Sequence, residues 1–255
     1  DYLQLKFSYG YQGNMLDNQS PEVIIKKLPM NSYFNELVSE VDIYPNPDLK
    51  WERTNSLNGG IEFSILNHRV MISSDVYYKK TNDAFMEKNI SRVNGLAAYT
   101  INSGKIINKG YNVSLTLSPI HSDNIRWMLS TSISKSYNRI ESRPSTDEYD
   151  LTNFLNGTVI AKGKAVNTFY SYKFRGLNPI NGGPLFDDYE EFPERLYGKS
   201  KHDVFTSILE ASGSREPKLS GGINNTVNFW NFRLNINFAY SMGAKTRLFQ
   251  VYEGT

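Results

Sequence analysis

Residues 46–78 alternate apolar and polar side chains with a period of two on both sides of a tight corner, a pattern that constrains the stretch to a two-faced β-hairpin. Leu57, Gly59, Ile61, Phe63 and Ile65 fall on one face, and Asn58, Gly60, Glu62 and Ser64 on the other. Beyond the corner at residues 67–69, Val70, Ile72, Val76 and Tyr78 oppose Ser73, Asp75 and Tyr77. The same design returns near the other end of the chain. There Leu219, Gly221, Ile223, Val227 and Phe229 precede a turn at Trp230 and Asn231, and Phe232, Leu234, Ile236, Phe238 and Tyr240 follow it. Both hairpins share L-x-G-G-I before the turn, and each glycine pair puts one glycine on either face, which marks bends or close approach of another segment.

Three further alternating runs lie outside these hairpins: residues 2–12, 110–118 and 125–138. With the two hairpins, about seven crossing strands are predicted, near 2–12, 55–66, 70–80, 110–118, 125–138, 218–229 and 232–241. The connections alternate in length. Short turns are expected at 67–69, 119–124 and 230–231, and long polar segments at 13–47, 81–108 and 141–217. In the last of these, 168–174 reads as a strand outside the main sheet and 203–211 as a short helix. Soluble sandwiches keep most connections short at both ends, whereas a transmembrane β-barrel has short turns at one rim and long loops at the other.

Composition narrows the classes. The 255 residues contain no cysteine, so a disulfide framework and thiolate metal sites are excluded, and a net charge of +2 gives no reason to expect nucleic acid. No apolar run approaches the roughly 20 residues of a membrane-spanning helix, but barrel strands are hidden in hydrophilic sequences because half of each faces water. Aromatics make up 13% of the chain, with Trp51, Tyr78 and Tyr137 expected at the loop rim and Trp127 and Trp230 at the turn rim. Two such belts suit the two membrane interfaces, although rings capping a sandwich core would give the same pattern.

No catalytic constellation emerges. His68, His121 and His202 are scattered without metal-ligand spacing, and neither a cofactor nor a metal is expected. The acidic run Asp187, Asp188, Glu190 and Glu191 lacks the regular spacing of a calcium loop and reads as a solvated loop. Ligand contact is expected from loop aromatics, on whose faces sugars or peptide side chains stack: Tyr33, Phe34, Phe169, Tyr170, Tyr172, Phe186 and Tyr189.

Five motifs carry a family resemblance: Y-G-Y-Q-G-N (9–14), N-P-D-L-K-W-E-R-T (46–54), N-K-G-Y-N-V-S-L (108–115), Y-K-F-R-G-L-N-P-I-N-G-G-P (172–184) and P-K-L-S-G-G-I-N-N-T (217–226). Together and in this order they resemble the C-terminal barrel region of the SusC/RagA-like TonB-dependent outer-membrane transporters of Bacteroidetes. The resemblance implies an all-β fold, an antiparallel transmembrane β-barrel with long extracellular loops. The chain then holds a subset of the strands of a larger barrel of about 22 strands, the size associated with a plugged lumen. It also implies a location in the Gram-negative outer membrane among its lipids, and a plug domain and TonB-contacting N-terminal region outside this chain. A SusD-like surface lipoprotein, the TonB complex and an oligosaccharide or peptide ligand are the implied partners, and the implied role is nutrient uptake, not enzymatic catalysis. A passive porin or structural barrel, and a soluble all-β glycan-binding module, are the other functions open to this pattern.

Overall fold

The computed structural model describes residues 1–17, 20–29, 38–89, 93, 98–142, 149–187, 194 and 196–248. In chain order the elements are β1 (Tyr2–Asn14), β2 (Ile24–Lys27), β3 (Ser39–Ile43), β4 (Glu52–Ile65), β5 (Val70–Asn89), β6 (Ala98–His121) and β7 (Ile125–Ile140). They continue as α1 (Leu151–Asn156), β8 (Thr168–Tyr172), β9 (Phe174–Leu177), β10 (Pro184–Phe186), α2 (Lys201–Ile208), β11 (Leu209–Ser214), β12 (Leu219–Phe229) and β13 (Phe232–Met242). A seven-stranded sheet runs β1-β4-β5-β6-β7-β12-β13, with every neighbouring pair antiparallel. It is an open wall, and β2-β3, β8-β11 and β9-β10 form separate two-stranded ribbons.

The register makes the alternation of single strands into two continuous surfaces. One row joins Tyr9, Leu57, Tyr78, Lys109 and Tyr137; another joins Leu3, Phe63, Ile72, Leu115, Thr131, Ile223 and Phe238. A slip of one residue in any pair would move that strand's apolar set to the opposite face. The turn rim is tight. Leu66, Asn67 and His68 all take left-handed backbone conformations, and Trp230 does so in the β12–β13 turn. The consecutive left-handed residues give the twist that short hairpin turns require.

At the other rim the strands continue past the apolar band. Of residues 81–108, expected from sequence to form a loop, 81–89 and 98–108 instead prolong β5 and β6 as a ladder that pairs Lys88 with Tyr99. Alternation fails there because the register shifts around Ala84, where Asp83 is left-handed. The Ser103–Gly104 pair is therefore part of this bulge and not a turn: a Cβ on Gly104 would lie 2.7 Å from that of Ala84. The Asn94–Gly95 turn signal lies outside the described residues.

The described residues of 149–214 form a small unit with its own core. Phe154, Val159, Ala161, Tyr170 and Leu209 are buried together, and Tyr149, Leu151, Phe205 and Ile208 pack around them. The Asp150 amide donates to Asn153 Oδ1 at 2.9 Å, and α1 ends at Gly157, whose φ of 71° suits glycine. Ser200 Oγ accepts from the Asp203 amide to start α2. Arg247, beyond β13, donates to the carbonyls of Leu155 and Tyr170, both at 2.8 Å, and so ties the unit to the end of the sheet.

Candidate functional site

The outward surface of the sheet is apolar and uncovered. Leu3, Leu5, Phe7, Leu57, Ile61, Val76, Leu234 and Phe238 are all exposed. An apolar face of this extent is costly in water and suits lipid. From Val70 to Tyr78 the strand covers about 27 Å, or roughly 20 Å of height at a barrel tilt near 40°. Tyr9, Tyr78, Tyr111, Tyr137 and Tyr240 lie towards the loop rim, and Trp127, Phe229, Trp230 and Phe232 lie at the turn rim. Trp230 stacks on Phe229 with ring centroids 5.2 Å apart. Two polar groups on this face have partners. Asn225 accepts from the Trp127 indole N–H at 2.8 Å, and the Lys135 ammonium lies 4.9 Å from the Tyr137 ring centre.

The opposite surface is polar. Glu62 accepts from Tyr2 and from Lys6, the latter at 2.6 Å, while Asn58 donates to Ser8 at 3.0 Å and Thr116 shares a 3.0 Å hydrogen bond with Ser130. Glycines make room for long side chains here. A Cβ on Gly60 would lie 2.5 Å from the Asp75 carboxylate, and Tyr77 reaches across Gly110 to donate to Ser136 on the next strand at 3.1 Å. Tyr240 uses Gly221 in the same way on the outward face, with its hydroxyl donating to the Ser132 carbonyl at 3.1 Å. These crossings clip three adjacent strands together.

The N-P-D-L-K-W-E-R-T segment acts as a clasp on the β5–β6 extension. Asn46 Nδ2 donates to the Thr100 carbonyl at 2.9 Å, and Tyr99 donates to the Pro45 carbonyl at 2.8 Å. The Asn102 amide bridges Lys50 N–H, Lys50 C=O and Asp83 C=O, each at 2.7 Å. Glu52 accepts from the Phe85 amide at 2.8 Å and from Asn14 at 2.9 Å, and Arg53 pairs with Asp83 at 2.6 Å. Trp51 lies over Gly13, where a Cβ would come within 2.9 Å of its ring.

Of the loop aromatics expected to meet ligand, Tyr33, Phe34 and Tyr189 lie outside the described residues. Tyr172 and Phe186 are exposed and pack at 5.8 Å, with Phe174 extending the cluster at 6.2 Å from Phe186. Phe169 and Tyr170 are only 6% and 2% exposed. Phe169 lies under Arg215 and Tyr170 against Phe154, so neither offers a free ring face. Burial raises the Tyr170 hydroxyl to about 12. In the acidic run, Asp187 pairs with Arg175 and lies 3.9 Å from Lys173, while Asp188, Glu190 and Glu191 fall outside the described residues. Among the described residues no cluster of His, Asp and Glu suits a metal ion.

A two-faced antiparallel wall with aromatic rims and built-up loops on one side is the geometry of an outer-membrane barrel. Residues 1–238 match the family model for the TonB-dependent receptor-like β-barrel. The chain belongs to that family. Its place is therefore the outer membrane, with the apolar face towards lipid, and the soluble-module reading falls away. A TonB-dependent receptor of Formosa agariphila is 28% identical over 94% of the chain and 26% of its own length. The TonB-dependent receptor SusC of Bacteroides thetaiotaomicron is 32% identical over 55% of the chain and 15% of its own length. The chain thus spans about a quarter of the length of the Formosa receptor and less of SusC. Among solved structures, the RagAB peptide transporter superposes with a TM-score of 0.73 at 21% identity, covering 94% of this chain and 26% of that one. The RagAB peptide importer in its closed-closed state gives 0.74 at the same identity, covering 96% and 27%. These superpositions establish the fold, an unclosed part of a larger barrel. The loop unit, the clasp partners Asp83 and Asn102, and the exposed Phe174 are the features that alternation alone does not reveal.

Proposed function

We propose that this chain supplies barrel wall, lumen lining and external loops to a TonB-dependent importer that takes up a glycan or peptide nutrient with a SusD-like surface lipoprotein. The observation that carries the reading is the match of residues 1–238 to the TonB-dependent receptor-like β-barrel. The wall is in keeping with it: one rim has minimal turns, while the other carries the clasped β5–β6 extension and a separately cored loop unit, the rim asymmetry of outer-membrane barrels. The likeness to the TonB-dependent receptor SusC and to the RagAB peptide importer supports this reading, and the name of the latter makes peptide one of the two cargo classes proposed. In this reading the polar face lines the lumen, and the exposed cluster of Tyr172, Phe174 and Phe186 meets cargo or lipoprotein above the membrane. Phe169 and Tyr170 contribute by holding the loop unit together.

The test is uptake of fluorescent oligosaccharides and peptides by the native host, compared with strains lacking the transporter gene or TonB. Loss of uptake in both deletion strains, and co-purification of the transporter with a surface lipoprotein, are expected. Uptake that persists without TonB would favour a passive porin and overturn the proposal.

A further inference from the structure

Towards the loop rim, the outward face of the wall carries an apolar groove of about 480 Å³, whose lining includes Phe7, Gly59, Val76, Tyr111, Tyr137 and Lys109. We propose that this groove seats a lipid of the outer leaflet, with its chain over Gly59 and its phosphate monoester between Lys109 and Lys135.

Gly59 sets the depth of the groove. The two hairpins that share L-x-G-G-I place a glycine on this face at 59 and at 221, opposite Val76 and Tyr240. Packing requires Gly221, since a Cβ there would lie 2.5 Å from the Tyr240 hydroxyl. Gly59 is under no such demand: a Cβ would meet only a Val76 methyl, at an ordinary contact distance of 3.7 Å. A larger side chain fits the fold at 59, and its absence keeps the groove deep. Charge then marks one side of it. From the short turns up to the row that joins Tyr9 to Tyr137, the outward positions of the seven strands carry two charged residues, Lys109 and Lys135. Register brings them together. Lys109 is paired with Tyr137, and Lys135, two residues along the same face of β7, holds its ammonium 4.9 Å from the centre of that ring. Diagonal neighbours of this kind lie about 7–8 Å apart. No acidic side chain shares the band, and neither lysine makes an ion pair among the described residues. Two ammonium groups at the edge of hydrocarbon are costly without an anion beside them. A phosphate monoester carries about two negative charges and accepts from both. Gly59 lies two strand spacings from Lys109, about 10 Å, which is the reach from a lipid phosphate to the first carbons of its chain. Free phosphate would use the lysines alone, so the groove is what selects a lipid. This seat depends on the barrel's place in the membrane and not on its cargo.

The test is native mass spectrometry of the full-length transporter in detergent, titrated with dioleoylphosphatidic acid, with dioleoylglycerol and with inorganic phosphate. Phosphatidic acid binds about tenfold or more tightly than dioleoylglycerol, which has the same chains and no phosphate, and about tenfold or more tightly than inorganic phosphate. The double variant Lys109→Gln, Lys135→Gln loses the preference over dioleoylglycerol while keeping the wild-type unfolding temperature. Lys105→Gln, which removes a lysine farther along the same face of β6, keeps the preference. Gly59→Leu fills the groove and weakens phosphatidic acid about threefold or more without lowering the unfolding temperature. Equal binding of the two lipids would overturn the proposal, and so would a preference that survives in the lysine double variant or is lost equally in Lys105→Gln. Wild-type affinity in Gly59→Leu, or inorganic phosphate binding as tightly as phosphatidic acid, would overturn the lipid seat as well.

Discussion

Replacing Asn102 by alanine removes three hydrogen bonds of 2.7 Å in one step, those to Lys50 N–H, Lys50 C=O and Asp83 C=O. At about 1 kcal/mol net for each neutral bond, the loss is roughly 3 kcal/mol if every group is stranded. The two bonds to Lys50 lie in an exposed setting and only the one to Asp83 is partly buried, so water replaces part of the loss. A value near 2 kcal/mol remains, which raises the local opening equilibrium of the clasp about 30-fold. Hydrogen exchange of the full-length protein in detergent, read on the peptide covering residues 46–54, should accelerate by about that factor while the β4–β5 ladder between Leu57 and Tyr78 stays protected. Lys50→Ala is the control, since the clasp uses that residue's backbone and leaves its side chain aside. Wild-type exchange in Asn102→Ala, or equal acceleration in Lys50→Ala, would refute the clasp.

Gly110→Ala puts a Cβ 2.4 Å from the Lys135 carbonyl and 2.6 Å from the Tyr77 hydroxyl, so it should lower the unfolding temperature of the barrel on heat-modifiability gels. Gly10→Ala, with open space around it, should leave that temperature unchanged. Phe154→Ala empties the fully buried centre of the loop unit and should cost that unit about 3–5 kcal/mol. Limited proteolysis should then cut within residues 149–214 while the sheet remains intact. Tyr170 has a folded-state value near 12, above the 10.0 of a free phenol, so its contribution to stability is fully present below pH 10 and is lost as pH rises through 12. The stability difference between wild type and Tyr170→Phe should therefore be constant up to pH 10 and shift towards the variant above it, as read by thermal melts across that range.

Much of the wall can be read from the chain because strand periodicity is local. Leu57, Ile61 and Phe63 declare their face through the residues beside them, and the short turns after Ile65 and Phe229 force each hairpin to close on itself. The β5–β6 extension escapes that reading. Above the membrane both faces of a strand meet water, so residues such as Lys80, Asn82 and Lys105 carry no alternation to detect, and the bulge at Ala84 resets the count. The loop unit escapes it for another reason. Phe169 and Tyr170 look like exposed loop aromatics in sequence, and only contacts with Phe154, Leu209 and Arg215, far along the chain, bury them.

Sequence by itself determined the two faces of this protein, its short-turn rim and, through five ordered motifs, its family. Tertiary structure decided where those motifs act. It turned the Asn46–Arg53 residues into a clasp around Asn102 and Asp83. The division has a physical cause. A strand's facing is set by the pleat within a few residues, whereas burial and pairing in loops depend on partners tens of residues away, whose positions only the folded chain fixes.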